Sequence, residues 1–277
     1  MRGNMVLPLT GLILAAGKGK RMQSETPKVL HSVAGEIMLA RVLEALRNTP
    51  CQNYCVILGE DLAPFESFLV RFPDLGVCVQ KNINGTAGAV ASSSAFFQGL
   101  EAPSYGTGYL ARGSSVKPGN VLVCAGDIPG LDGRLLRTFI AHCQALDSRL
   151  GVLGMRVPDP TGYGRLILSH QGTLDGIVEE KDADANAKKI TLCNSGVMYA
   201  NVAYLFELLG ELRNDNAQGE YYLTDCVAIA CKGQKASVFV TDQWQSLSGV
   251  NSIWEKEFVE RTFFEKKFPS TPPPKKL

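Results

Sequence analysis

Charge of one sign is the first thing this chain lacks. Its 28 lysines and arginines stand against 27 acidic residues, for a net charge of +1. That balance gives no sign of an extended basic face, so neither a nucleic-acid nor a membrane surface is expected, and any polyanion site must be local. No apolar run reaches the roughly 18 residues that a membrane-crossing helix needs. The N-terminus has Arg2 but only a short apolar stretch before Pro8, with no signal-peptide core. Histidine is scarce, at 3, and the 8 cysteines (51, 55, 78, 124, 143, 193, 226 and 231) form no C-x-x-C pair, which argues against zinc. Several cysteines lie inside apolar runs such as Val121-Leu122-Val123-Cys124, as reduced thiols do in a cytoplasmic protein. With 277 residues, 45% of them hydrophobic and 20% charged, the chain can bury one large α/β core.

The richest segment is Leu12-Ile13-Leu14-Ala15-Ala16-Gly17-Lys18-Gly19-Lys20-Arg21-Met22, followed by Pro27-Lys28-Val29-Leu30. An apolar strand runs into a small-residue turn. There backbone N–H groups can approach an anion and the positive end of a following helix adds to the field. Arg21 can then act as a planar fork on a polyphosphate and Lys28 as a point charge. A Walker A loop would need Ser or Thr after Gly19-Lys20, where Arg21 stands. A Rossmann fingerprint would need a third glycine. The pattern is a nucleoside-triphosphate site of another kind.

The first half alternates strands and helices: strands at 11–16, 54–58, 77–80 and 121–125, helical spacing over 37–46, 65–72, 86–97 and 135–143. Such alternation predicts a Rossmann-like, doubly wound, mainly parallel sheet. Residues 103–119, rich in Gly, Ser, Pro and Tyr, are expected to be a mobile surface insertion without chemistry. From 151 the pattern shifts to strands at 151–157, 164–168, 174–179 and 190–199, which predicts an inserted antiparallel lobe. Helices at 205–212 and 223–230, a strand at 237–240 and a terminal helix from 254 follow. The expected organisation is one domain over 1–268, with a nucleotide half (9–150), a second half (151–255) and a terminal helix (256–268). A proline-rich tail occupies 269–277.

Ala125-Gly126-Asp127-Ile128-Pro129 places a carboxylate at a strand's carboxyl end, where α/β sheets bind ligands, and Mg²⁺ prefers one or two protein oxygens plus phosphate. The Gln80 amide can read a pyrimidine edge, Gly85 lets a base approach, and Thr86 is expected to cap the next helix. His31 is expected to be structural.

Leu-Ala-Ala-Gly-x-Gly-x-Arg-Met followed by Pro-Lys resembles the signature of the nucleotide-sugar pyrophosphorylases. Within them the resemblance is strongest to the uridyltransferase domain of the bifunctional N-acetylglucosamine-1-phosphate uridyltransferase/glucosamine-1-phosphate acetyltransferases, and it covers about residues 9 to 255. It implies the nucleotide-diphospho-sugar transferase fold. It implies UTP and N-acetylglucosamine 1-phosphate as substrates, and UDP-N-acetylglucosamine and pyrophosphate as products. It assigns catalysis to Arg21 and Lys28, and nucleotide contacts to Leu14, Ala16, Gly17, Gln80, Gly85 and Thr86. The resemblance also implies that Asn251, in Gly249-Val250-Asn251, joins Asp127 on Mg²⁺.

Gly162-Tyr163-Gly164-Arg165, Val178-Glu179-Glu180-Lys181-Asp182, Asn194-Ser195-Gly196 and the segment from Asn216 to Asp225 recur in the resemblance as sugar-side elements. They give Gly164, Glu179, Asn194, Glu220 and Thr224 as sugar contacts, with Lys181 near the sugar phosphate. The sequence departs from the pattern at Ala125, where tyrosine is usual, and at Ala87-Gly88, where Gly-His is usual. No hexapeptide repeat is present, so acetyl transfer is not expected. Competing readings are another sugar 1-phosphate, CTP with an alcohol phosphate, or a non-catalytic nucleotide-sugar sensor. A metal-dependent turnover assay separates the last from the rest.

Overall fold

A computed structural model describes residues 7–17, 19–22 and 24–265. The proline-rich tail, Lys18 and the last residues of the terminal helix expected over 256–268 lie outside them.

Strand β1 (Leu9–Leu14) leads through a loop and the short hairpin Ser32–Val33/Glu36–Ile37 to helix α1 (Met38–Arg47). There follow β2 (Asn53–Leu58), α2 (Glu66–Arg71), β3 (Gly76–Gln80), α3 (Thr86–Ala91), β4 (Gly108–Arg112), β5 (Asn120–Ala125) and α4 (Gly133–Ala145). Then come β6 (Leu150–Arg156), β7 (Arg165–Leu168), β8 (Leu174–Val178), β9 (Leu192–Asn201), α5 (Val202–Glu211), α6 (Asp225–Lys232), β10 (Ala236–Thr241) and α7 (Ile253–Glu265).

The sheet is parallel at its centre, in the order β3-β2-β1-β5. Strand β9 joins β5 antiparallel and carries β6 on its other side, and β10 lies parallel to β6. The β7–β8 hairpin continues from the first part of β9. The antiparallel strands therefore extend one sheet rather than building a second one.

The central strands are mainly apolar because both faces are covered. Ile13, Val56, Leu58 and Leu122 pack with α1 and α4 on one face, and Leu12, Ile57, Val121 and Val123 pack with α3, α5 and α6 on the other. Helix α1 buries Leu39, Val42, Leu43 and Leu46, the one-face spacing of an amphipathic helix. Helix α4 starts at Asp132, whose side chain accepts from the Arg134 N–H (2.8 Å).

Two local expectations are corrected. The helix expected over 86–97 ends at Ala91, and a separate turn covers Ser94–Phe96. The 103–119 stretch is not a bare loop, because β4 within it pairs antiparallel with β3 as an edge strand. Glycine composition hid it. A Cβ at Gly108 would lie 2.5 Å from the Val79 carbonyl oxygen and 2.4 Å from Ser92 Cβ, so only glycine allows that approach. No described helix is long and apolar enough to cross a membrane. All eight cysteines are free, and seven are buried.

Candidate active site

Because β1 has β2 on one side and β5 on the other, the strand order reverses there, and it is in the crevice beyond the carboxyl ends at such a point that open α/β sheets bind ligands. Leu14 and Ala125 are register partners, and the Gly126 N–H donates to the Leu14 carbonyl (2.9 Å). Leu14, Ala16 and Gly17 thus stand at the carboxyl end of β1, and Asp127 beside them at that of β5.

Lys28 reaches this point through two packing devices. It opens a single turn, Lys28–Leu30, after the extended Pro27, and Val29 in that turn is buried in the core. Gly19 adopts φ +57°, and a Cβ there would lie 2.5 Å from Lys28 Cβ, so the left-handed glycine is what lets the loop close over the lysine. Gly17 needs no such freedom; open space surrounds its Cβ position.

The Lys28 ammonium forms an ion pair with Asp127 Oδ2 and donates to Asn251 Oδ1 (2.8 Å). Asn251 is held beside Asp127 by its neighbour, since the Val250 N–H donates to the Asp127 carbonyl (2.9 Å). Its own N–H donates to Glu255 Oε2 (2.7 Å) in the first turn of α7. One carboxylate oxygen and one amide oxygen therefore converge on a single cationic centre, drawn from residues 99 and 223 positions away from the lysine. That donor set fits Mg²⁺, which takes few protein oxygens and fills its remaining positions with phosphate and water. Among the described residues there is no group of three or more His, Cys, Asp or Glu that could hold a metal ion. Arg21 stands exposed on the turn Lys20–Met22, with no ion pair among the described residues, so the structure does not bring it into this cluster.

The base-side residues meet at the end of β3. Gln80 is almost fully buried and its Nε2 faces Asn84 Oδ1 (3.2 Å) and the Gly85 carbonyl (3.4 Å). Gly85 has φ +109°, and a Cβ there would strike the Tyr221 carbonyl at 2.4 Å. Thr86 does not cap α3; Gly85 occupies that position, and the Thr86 hydroxyl instead accepts from the Leu223 N–H (3.0 Å). The capping expectation failed because the chain turns left-handed at Gly85, one residue earlier, and carries Thr86 into the helix. Two backbone bonds reinforce the contact: Ala87 N–H to Tyr221 O (3.0 Å) and Tyr221 N–H to Asn84 O (2.9 Å).

The sugar-side residues also assemble. Glu179 accepts from the Thr224 hydroxyl (2.8 Å), and Gly164 packs so closely that its Cβ would lie 3.2 Å from Glu179 Oε2. The Asn194 N–H donates to the Gly164 carbonyl (2.8 Å), and the register of β9 against β6 shifts between Asn194 and Met198, where Gly196 turns to φ +81°. Lys181 donates to Gln218 Oε1 (2.5 Å), and the Ala217 N–H donates to Asp182 Oδ1 (2.9 Å), which ties the 179–182 turn to the 216–225 segment. Glu220 is placed by its backbone, whose N–H donates to Asn216 Oδ1 (3.2 Å).

Burial raises the Glu179 carboxyl above the usual carboxylate range, and the Thr224 hydroxyl opposes the shift. Asp225 is pushed up to about 6, first by burial and then by the facing charges of Glu179 and Asp182. Its folded pKa lies above the ordinary 3.8, so the native state keeps a proton that the unfolded chain loses. This contribution is at its best at low pH and is lost as pH rises through about 6. Asp225→Asn should therefore gain more thermal stability at pH 7.5 than at pH 4.5. Equal melting-temperature changes at the two pH values would contradict this.

Comparison with known proteins follows the same lines. The family model for the MobA-like NTP transferase domain matches residues 11–188. The bifunctional protein GlmU of Rhodospirillum rubrum is 40% identical over 250 residues, which is 90% of this chain and 51% of that protein. GlmU of Burkholderia thailandensis is 38% identical over 252 residues, covering 90% and 51%. The chain thus spans about half the length of the curated relatives it matches. A UDP-glucose pyrophosphorylase solved with UDP-glucose superposes with a TM-score of 0.70, covering 94% of this chain and all of that one; at 15% identity this likeness speaks for the fold alone. The resemblance carried by the sequence motifs is borne out.

Proposed function

The chain belongs to the family of MobA-like NTP transferases and is a nucleotidyltransferase, and from that premise we propose that it transfers UMP from UTP to N-acetylglucosamine 1-phosphate. The observation that carries the reading is the convergence of Lys28, Asp127 and Asn251 at the carboxyl edge of the central strands. GlmU relatives at 38–40% identity favour this substrate pair over other sugar phosphates.

In the proposed reaction a phosphate oxygen of the sugar 1-phosphate attacks the α-phosphorus of UTP in line. The bond from that phosphorus to the bridging oxygen breaks, and pyrophosphate leaves. The attacking oxygen is already anionic near neutral pH, so no general base is required, which suits a site without histidine. Asp127 and Asn251 would hold Mg²⁺, which when bound neutralises phosphate charge. Lys28 supplies charge to the developing pyrophosphate. Arg21, on the turn Lys20–Met22, would add a second positive charge to the polyphosphate. Gln80, Gly85 and Thr86 bind the base. Gly164, Glu179, Asn194, Glu220 and Thr224 bind the sugar, and the raised carboxyl of Glu179 accepts sugar hydroxyl or amide hydrogens.

The direct test is pyrophosphate release from UTP and N-acetylglucosamine 1-phosphate, with Mg²⁺ and with EDTA. Metal-dependent release of UDP-N-acetylglucosamine is expected; no release with any sugar 1-phosphate would overturn the reading. Glu179→Ala is expected to raise KM for the sugar phosphate about tenfold, the scale of a lost hydrogen bond to a charged group, with KM for UTP little changed. An effect on UTP alone would contradict the division between base-side and sugar-side residues.

A further inference from the structure

Asn84 has no place in the scheme above, yet it stands at the centre of the base-side contacts. Its Nδ2 donates to the Tyr105 carbonyl (2.9 Å). A backbone carbonyl can only accept, so this bond fixes which end of the Asn84 amide points where. Asn84 Oδ1 is thereby turned to Gln80 and accepts from Gln80 Nε2 (3.2 Å). The second acceptor of Gln80 Nε2 is the Gly85 carbonyl (3.4 Å), again a group that cannot donate. Two main-chain carbonyls thus set the orientation of two side-chain amides. Both protons of Gln80 Nε2 are committed, and Oε1 is the atom left to a ligand.

The relay is itself braced. The Tyr105 ring stacks on Tyr221 with centroids 3.9 Å apart and planes 6° from parallel, and its hydroxyl donates to the Leu209 carbonyl (2.6 Å). Room for the Asn84 side chain comes from Gly88, where a Cβ would lie 1.8 Å from Asn84 Oδ1.

We propose that Asn84, held by Tyr105 and given space by Gly88, is a positioning residue that selects the nucleobase by presenting the oxygen of Gln80 to it. This rests on the reading of the crevice as a nucleotide site. An acceptor oxygen pairs with the N3–H of a uracil ring. Cytosine offers an unprotonated nitrogen at that position, and two acceptors would be left facing each other without a proton. Selection against CTP thus follows from the orientation of one amide, and Asn84 sets that orientation without touching the base.

The test compares kcat/KM for UTP and for CTP in the full chain, Asn84→Ala, Gly88→Ala and the double variant, with equilibrium binding of both nucleotides and thermal melts alongside. Each single substitution is expected to lower the UTP-to-CTP preference about tenfold, since an unsatisfied or misdirected buried polar group costs that order. The double variant should lose no more than the larger single loss, because both changes remove the same side chain from the same place. A packing role alone would lower melting temperature and leave the preference intact, and that result in both single variants overturns the proposal. Should Asn84→Ala fail to fold, Gly88→Ala carries the test. If the wild-type chain turned over no sugar phosphate but bound UTP more tightly than CTP, and both variants lost that preference, the proposed reaction would fall and this inference would stand. Equal wild-type binding of UTP and CTP would overturn it.

Discussion

Asp127→Ala is expected to lower turnover by roughly 10³-fold or more, the upper range for removing one group that stabilises transition-state charge. Two consequences separate in this variant. The carboxylate is the anionic member of the pair that would hold Mg²⁺, and among the described residues it is the only acidic partner of Lys28, whose side chain is 14% exposed. Stripping it leaves a largely buried ammonium with Asn251 Oδ1 as its partner among the described residues, so some loss of stability accompanies the loss of rate. Asp127→Asn retains the shape and an acceptor oxygen while removing the charge. It should melt close to the wild type and still fail to release pyrophosphate. Full activity in Asp127→Asn at low Mg²⁺ would overturn the metal assignment.

Lys28→Ala is the second large effect, with kcat expected to fall about 10²-fold and KM for the sugar phosphate to change less than about twofold, as for an interaction made chiefly in the transition state. Lys28→Arg should not restore the rate. The guanidinium is a broad planar fork, and Gly19 already packs against the Lys28 side chain where its own Cβ would have been 2.5 Å away. Steady-state kinetics with each substrate varied in turn decides the matter. A loss confined to sugar affinity would place Lys28 elsewhere.

What could be read from the residues alone follows from how local each signal is. The β1 turn was legible because its apolar strand, glycines and Pro-Lys pair lie within one short segment, and the alternating pattern gave the parallel centre of the sheet. Local pattern does not reveal the Lys28–Asp127–Asn251 cluster: only the resemblance pairs Asp127 with Asn251, and nothing in the residues themselves brings Lys28 to positions 99 and 223 residues away. Thr86 was misread because the backbone turn at Gly85, not the side chain, begins α3. Edge strand β4 was missed because its glycine serves close approach to Val79 and Ser92, which composition reports as a loop. Asn84 left almost no trace. Its signal is an absence, the missing side chain at Gly88, and the departure at Ala87-Gly88 does not by itself reveal the space it creates.

The continuity of the sheet bears on how this protein can be re-engineered. Strand β9, from the second half of the chain, is zipped to β5, from the first, over Val197 to Asn201, and the 216–225 segment is sewn to the start of α3 through Tyr221 and Leu223. A chimera cut at residue 150 would tear both seams and leave two unpaired strand edges. The halves are not cassettes. Exchanging the acceptor for another should succeed by grafting the turn at 179–182 together with 216–225, as one cross-linked unit moved onto an intact sheet.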